Sequence, residues 1–103
     1  MGSVASLIVK GDMEDIKNIA AQYSPVVFDI IPLTLEEVFI YEMEDGRHKV
    51  SLRSNELVDV SRIAASHGGG GHVRAAGFDI SMEYEELIAM ILEEIQSQLN
   101  EMI

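Results

Sequence analysis

The chain contains no cysteine, which removes disulfide frameworks and thiolate metal sites from consideration. Positive charge is scarce as well. Seven Lys and Arg stand against 18 Asp and Glu, a formal net charge of −11 whose field as a whole repels polyanions. The longest apolar runs, such as Val26-Val27-Phe28, fall far short of the roughly 20 residues that a membrane span requires. The start, Met1-Gly2-Ser3, lacks the basic region and apolar stretch of a signal peptide and reads as a cloning remnant. Repeats and low-complexity tracts are missing too. The expectation is a soluble cytoplasmic protein made of a single small domain over residues 1–103. With 48% hydrophobic residues it can bury one core, but it has little room for a second domain carrying a complete active site.

The few positive charges are concentrated. Between Arg47 and Gly77 lie five basic residues (Arg47, Lys49, Arg53, Arg62 and Arg74) and two acidic ones (Glu56 and Asp59), a local net of +3; the remaining residues carry two basic and 16 acidic side chains, a net of −14. His48, His67 and His72 fall in the same segment, as do five of the eight glycines. The sign of that segment points to an anion as its ligand.

Local patterns predict an α/β fold, a mixed sheet of about five strands with helices packed on it. Residues 4–9 read as a strand that stops at Lys10-Gly11. Asp12 stands as the N-cap of a helix in which Met13, Ile16, Ile19, Ala20 and Tyr23 recur at helical spacing, with Glu14 and Asp15 in the first turn. Residues 26–31 read as a buried strand that Pro32 ends. Asp45-Gly46, flanked by strand-like sequence, predicts a hairpin over residues 37–54 with a two-residue turn. That register sets Glu44 opposite Arg47, Glu42 opposite Lys49, Tyr41 opposite Val50 and Phe39 opposite Leu52. One face is then apolar, with Phe39, Tyr41, Met43, Val50 and Leu52. Arg47 and Lys49 gain carboxylate partners, whereas Arg53 faces Val38 and is left uncommitted. Residues 59–67 read as a short helix capped by Asp59 or Asn55, with Val60, Ile63 and Ala64 inward and Gly68 as its left-handed C-terminal residue. Val73, Ala75 and Ala76 suggest a second brief helix, and residues 78–80 a strand. Ser81 then caps a long helix with the stripe Leu87, Ile88, Ile91, Leu92, Ile95, Leu99 and Met102.

Four consecutive glycines, Gly68, Gly69, Gly70 and Gly71, cost conformational entropy on ordering, and one of them suffices to end a helix. Such a run can point successive N–H groups into one concavity and let a ligand approach the backbone. A helix starting near His72 would aim its positive end at the same space, and a phosphate or carboxylate is the natural guest. His72 and Arg74 add donors, and Arg53 can supply a bidentate fork. The alternative is a flexible linker between two helices.

The eleven residues 68–78, Gly-Gly-Gly-Gly-His-Val-Arg-Ala-Ala-Gly-Phe, closely resemble the signature of the DHH-associated C-terminal domain, the substrate-binding lobe of DHH-family phosphoesterases. Upstream, Val50-Ser51-Leu52-Arg53-Ser54 and Val58-Asp59-Val60-Ser61-Arg62-Ile63-Ala64 are similar to the same family's pattern in order and spacing. The likeness covers residues 37–80 well and the amino-terminal third loosely. It is greatest to the branch of nanoRNases, which degrade very short RNAs, and pAp phosphatases; RecJ-type exonucleases and cyclic-dinucleotide phosphodiesterases are more distant. The resemblance implies that Arg53, the loop 68–71 and His72 hold a substrate phosphate or terminal nucleotide, with a short oligonucleotide or nucleoside bisphosphate as partner. It further implies a separate catalytic lobe in cis, which supplies Asp and His ligands to a manganese pair and a metal-bound water that attacks the phosphodiester. This chain has no Asp-His-His triplet and looks like half of an enzyme. Its expected role is to bind nucleic acid through phosphate, with no metal site or catalytic residue of its own and no membrane partner. A homodimer is left open.

Each residue also has a plainer reading. His72 is a phosphate donor or a helix-end histidine that bonds the loop; Arg53 is a phosphate ligand or a surface cation; Arg74 is a ligand or a solvated helix residue. His67 is explained by a helix C-terminus, His48 by solvation beside the turn, Arg62 by its exposed helix face, and the acids of the last helix by solvation of its surface. Phe39, Tyr41 and Phe78 are assigned to the core, which argues against an aromatic platform for single strands. Two other functions remain in view. One is an interaction or oligomerisation module with a structural glycine loop and an acidic helix for a protein partner. The other is an accessory domain of an alanyl-tRNA synthetase or editing protein, which shares the glycine-rich signature but conflicts with the −14 outside the central segment.

Overall fold

A computed structural model describes residues 8–23, 31 and 33–101. Strands β1 (Ile8–Asp12), β2 (Leu35–Glu42), β3 (His48–Ser54), β4 (Gly70–His72) and β5 (Ala75–Ile80) form one sheet in the order β1-β2-β3-β5-β4, accompanied by helices α1 (Met13–Tyr23), α2 (Val60–Ala65) and α3 (Tyr84–Glu101). The α/β class and the five strands agree with expectation, although every described ladder is antiparallel rather than mixed. Val38, Ile40, Val50, Leu52 and Phe78 of the sheet share one core with Ile16, Ala20, Val60, Ile63, Ala64, Leu87, Ile88, Ile91, Leu92 and Ile95 of the helices. Each Val, Leu, Ile or Phe among them contributes on the order of 1.5–3 kcal/mol relative to exposure, and the two alanines less. No described helix covers the opposite face of the sheet. No described helix is long and apolar enough to cross a membrane.

Two of the expected caps form. The Asp12 carboxylate accepts from the Glu14 N–H at 3.1 Å, and the Asp12 N–H donates to Asp15 at 3.0 Å, a reciprocal box at the start of α1. Asp59 accepts from the Ser61 and Arg62 amides and caps α2. Of the expected strand 4–9, residues 4–7 lie outside the described residues; the described strand Ile8–Asp12 runs past the expected stop, and a bulge between Val9 and Gly11 keeps Lys10-Gly11 inside it. The strand expected at 26–31 lies outside the described residues except for Ile31, which is helical and buried. Ser81 is not the cap of α3, which begins at Tyr84.

The central hairpin forms with a register one residue away from the expected one. Asp45 keeps a negative φ and only Gly46, at φ 86°, is left-handed, so the two-residue turn that needs both in that region cannot form. Instead the Gly46 N–H donates to the Met43 carbonyl at 3.0 Å and the Met43 N–H to the Arg47 carbonyl at 2.9 Å, which closes a three-residue loop with a glycine bulge. Ile40 therefore faces Val50 and Val38 faces Leu52, while Phe39 faces Ser51 and Tyr41 faces Lys49. A shift of one residue exchanges the faces. Phe39 and Tyr41 move off the core to the helix-free face, while His48, in step with Val50 and Leu52 in either register, lies on the core side at 6% exposure rather than solvated beside the turn.

Helix α3 holds α2 in place by polar side chains one turn apart. Gln98 accepts from the Asp59 N–H at 2.9 Å and donates to the Asp59 carbonyl at 2.8 Å. Glu101 takes both terminal nitrogens of Arg62 at 3.0 and 2.9 Å, and Glu94 takes the Ser66 hydroxyl at 2.9 Å and His67 Nε2 at 2.7 Å. The exposed acids of α3 are thus partly clamps, and the glycine segment is delivered from an anchored helix.

Candidate functional site

Alternation along β3 sends His48, Val50, Leu52 and Ser54 into the protein and Lys49, Ser51 and Arg53 to the helix-free face. The ladders extend those positions into rows. Arg53 pairs with Ala75, which pairs with His72; Ser51 pairs with Gly77, which pairs with Gly70; Lys49 pairs with Asp79. Arg53 and His72 thus lie two strand spacings apart, about 10 Å between Cα atoms, with only an alanine methyl between them. Both side chains are exposed, and neither makes an ion pair or hydrogen bond among the described residues. The next row, Ser51, Gly77 and Gly70, is a floor with almost no side-chain relief. Acids stand on the same face: Glu37 opposite Arg53 and Asp79 opposite Lys49. Arg53 therefore has a cross-strand carboxylate neighbour after all, and Lys49 faces Tyr41 rather than Glu42.

The four glycines do different things. Gly68, at φ 82°, ends α2 as expected; its N–H donates to the Ala65 carbonyl at 3.2 Å and that of Gly69 to the Ala64 carbonyl at 2.8 Å. Those amides are consumed by the helix end, so a concavity of successive free N–H groups does not form. A Cβ on Gly69 would overlap the Gly77 carbonyl oxygen and lie 2.6 Å from Phe78 Cβ, and one on Gly71 would lie 2.5 Å from the Ala75 carbonyl oxygen. At these two positions the protein's own β5 fills the space. Gly68 and Gly70 have nothing within 4 Å of such an atom. Gly70–His72 is an edge strand paired with β5, and an edge strand leaves one row of backbone groups unpaired by the sheet.

No helix begins at His72. The Val73 carbonyl accepts from the Val60 N–H at 2.9 Å and the Ser54 hydroxyl at 3.3 Å, and the Arg74 carbonyl accepts from the Ser54 N–H at 2.9 Å. These bonds hold residues 73–74 as a turn between β4 and β5 and override the helix preference of the alanines. Arg74 lies apart from the glycines, in a cleft of about 420 Å³ with Leu33, Glu36, Asn55, Glu56 and Leu57. The structure therefore gathers Arg53, Gly70 and His72 on one face and places Arg74 elsewhere. Arg47 and Lys49, set aside on the expected register, line an open cleft of about 570 Å³ with His67, Gly68, Gly69, Gly70, Gly77, Phe78 and Asp79.

His67 is held at the rim by Glu94 and by its ring 5.0 Å from that of Phe78, in keeping with a structural role. His48 and Tyr84 line a separate cleft of about 420 Å³ with Lys10, Glu42, Ser81 and Glu83; both His48 ring nitrogens and the Tyr84 hydroxyl are buried without a protein partner. Burial first, then Asp15 and Asp12, pushes the Tyr84 phenol up to about 12. Among the described residues no group of three or more His, Asp or Glu side chains could hold a metal ion, so these residues do not fit the manganese that the resemblance assigns to another lobe.

The DHHA1 domain family matches residues 12–101. The chain is 41% identical over 63 residues to the bifunctional oligoribonuclease and PAP phosphatase NrnA of Thermus thermophilus, a match covering 56% of this chain and 19% of that protein. It is 44% identical over 50 residues to the oligoribonuclease NrnB of Bacillus subtilis, covering 48% of this chain and 12% of that protein. It thus spans a minor part of the length of these relatives. A family match across nearly the whole chain, on a sheet that brings the motif's arginine and histidine to one face, leads to a plain assignment: the chain belongs to the DHHA1 domain family.

Proposed function

We propose that this chain is the substrate-binding lobe of a DHH-family phosphoesterase, and that it holds a phosphate of a short oligonucleotide or nucleoside bisphosphate in the gap between Arg53 and His72. The row Arg53, Ala75, His72 carries the proposal, because two exposed donors without protein partners flank a position with almost no side chain. The guanidinium supplies a planar fork and the imidazole a directed donor. Gly70 and Gly77 beside them let the ligand lie against the backbone. A catalytic lobe in cis performs the hydrolysis, and this chain contributes binding and orientation, which lower the entropic part of the barrier. Two relatives whose names describe action on oligoribonucleotides support the substrate class.

The test is titration of the 103-residue chain with pAp and with a 5′-phosphorylated dinucleotide. Arg53→Ala and His72→Ala should each weaken binding at least tenfold, because a hydrogen bond to a charged group contributes about 1.5–3 kcal/mol. Unchanged affinity in both variants would overturn the proposal. A structural-connector reading has its own support in the glycines, since Gly69 and Gly71 are required by the approach of β5. With Gly68 as the left-handed end of α2, that reading accounts for three of the four and leaves Gly70 without a reason.

A further inference from the structure

The helix-free face carries two aromatic side chains beside the cationic row. Phe39 and Tyr41 project from β2 onto it, both half-buried, with ring centroids 6.2 Å apart and planes inclined by 31°. Their neighbours on β3 are Ser51 and Lys49, and on β1 Tyr41 is paired with Val9, which is 56% exposed. Phe39 lies diagonally across from Arg53, a separation of about 7–8 Å in an antiparallel pair. No described helix covers these rings. Burial of the core is achieved without them, since Leu35, Val38 and Ile40 are the residues of β2 that enter it.

We propose that Phe39 and Tyr41 are a base-stacking platform, which extends the Arg53–His72 phosphate site into a site for a short single strand. The inference rests on that phosphate reading. Aromatic rings on an open sheet face, with cations on the adjoining strand, match the two chemical components of single-stranded RNA: base faces stack on the rings while phosphates meet the cations. With a phosphate between Arg53 and His72, the attached nucleoside crosses the Ser51 and Gly77 floor toward Phe39. The following base reaches Tyr41, whose neighbour Lys49 meets the next phosphate. The occupant is a short oligoribonucleotide rather than a protein surface, because Lys49 stands opposite Tyr41 and Arg53 diagonal to Phe39, with His72 two strands beyond Arg53 on the same face. The platform favours a dinucleotide over free phosphate without reading sequence, since every base has a π-face.

The experiment compares inorganic phosphate with a 5′-phosphorylated dinucleotide on the 103-residue chain, using Tyr41→Leu, Tyr41→Phe and Arg53→Ala. Tyr41→Leu should lower dinucleotide affinity by about five- to a hundredfold and leave phosphate affinity unchanged, whereas Tyr41→Phe should keep both. Dinucleotide, but not phosphate, should quench tyrosine emission, and Tyr41→Phe should remove that quenching while affinity persists. Equal losses for both ligands in Tyr41→Leu, no loss for either, or a change in self-association alone would overturn the platform. If Arg53→Ala leaves phosphate binding intact, the phosphate reading itself fails, whatever the tyrosine variants do. Circular dichroism of each variant separates these results from unfolding.

Discussion

The split within the glycine quartet gives the sharpest mutational prediction. Gly69→Ala places a methyl group inside the van der Waals envelope of the Gly77 carbonyl oxygen and Phe78 Cβ, both parts of β5 that a shift would tear from β3. Backbone cannot yield as a flexible side chain does, so the cost is that of overpacking, about 2–3 kcal/mol. For a domain of this size that corresponds to a fall in Tm of roughly 8–20 °C. Gly70→Ala is the control one residue away. Its φ is not left-handed and nothing stands within 4 Å of the new methyl, so stability should stay within about 0.5 kcal/mol of the parent. The order should reverse for ligand. The Gly70 methyl would rise from the floor beside Gly77, and pAp affinity should fall by about fivefold, on the order of 1 kcal/mol of steric cost. Thermal denaturation followed by circular dichroism measures the first quantity and calorimetric titration the second. Equal Tm losses in the two variants would refute the packing assignment. A Gly70→Ala protein that binds like the parent would refute the placement of ligand on that row.

Three further outcomes follow from the clamps and the titrating groups. Gln98→Ala removes both bonds to the Asp59 backbone and should lower stability by about 1–3 kcal/mol, read by urea denaturation, with the m-value unchanged. Asp59→Ala should cost about 1 kcal/mol through loss of the α2 cap. The Ser61 hydroxyl bond, together with the Arg62 and Ser61 amides, holds the Asp59 carboxyl below its ordinary 3.8 despite burial. This contribution is therefore present above pH 3.8 and lost as pH falls further, so parent and variant should converge in acid. Tyr84 has the opposite sign. Its raised phenol pKa means that stability is lost as pH climbs from the ordinary value of 10.0 to about 12, and Tyr84→Phe should keep at pH 11 what the parent loses. At neutral pH the same change removes a buried hydroxyl without a partner and should be neutral or stabilising.

What the sequence disclosed, and what it hid, divides along a physical line. The caps Asp12 and Asp59, the α3 stripe from Leu87 to Leu99 and the left-handed Gly68 depend on neighbours within a turn or two, and all were legible; Met102 of that stripe lies outside the described residues. The hairpin was legible as a hairpin, but its register turned on the φ of Asp45, which the letters Asp-Gly leave undecided. The pattern could not arbitrate, because Val38, Phe39, Ile40 and Tyr41 are apolar on both faces of β2. One misplaced residue then sent two aromatics into the core and Phe39 opposite Leu52. Val73 to Ala76 is favourable helix sequence, yet contacts with Val60 and Ser54 hold a turn there, and tertiary bonds of that kind leave no local trace. Gln98 broke the apolar stripe of α3, and its meaning appeared only with Asp59 beside it. The motif drew Arg53, the glycines and His72 together across the intervening helix α2, and the ladders set Arg53, Gly70 and His72 on one face. Which glycine serves β5 and which faces outward depends on the approach of another strand.

Amide chemical shifts of the 103-residue chain during titration with pAp test the central claim most directly. The account predicts saturable shifts at Arg53, Gly70, His72, Ala75 and Gly77, abolished in Arg53→Ala and absent from Asp15 and Tyr84 on the helix side. No perturbation along that row at millimolar ligand, or shifts gathered instead around Arg74, Asn55 and Leu57, would contradict it.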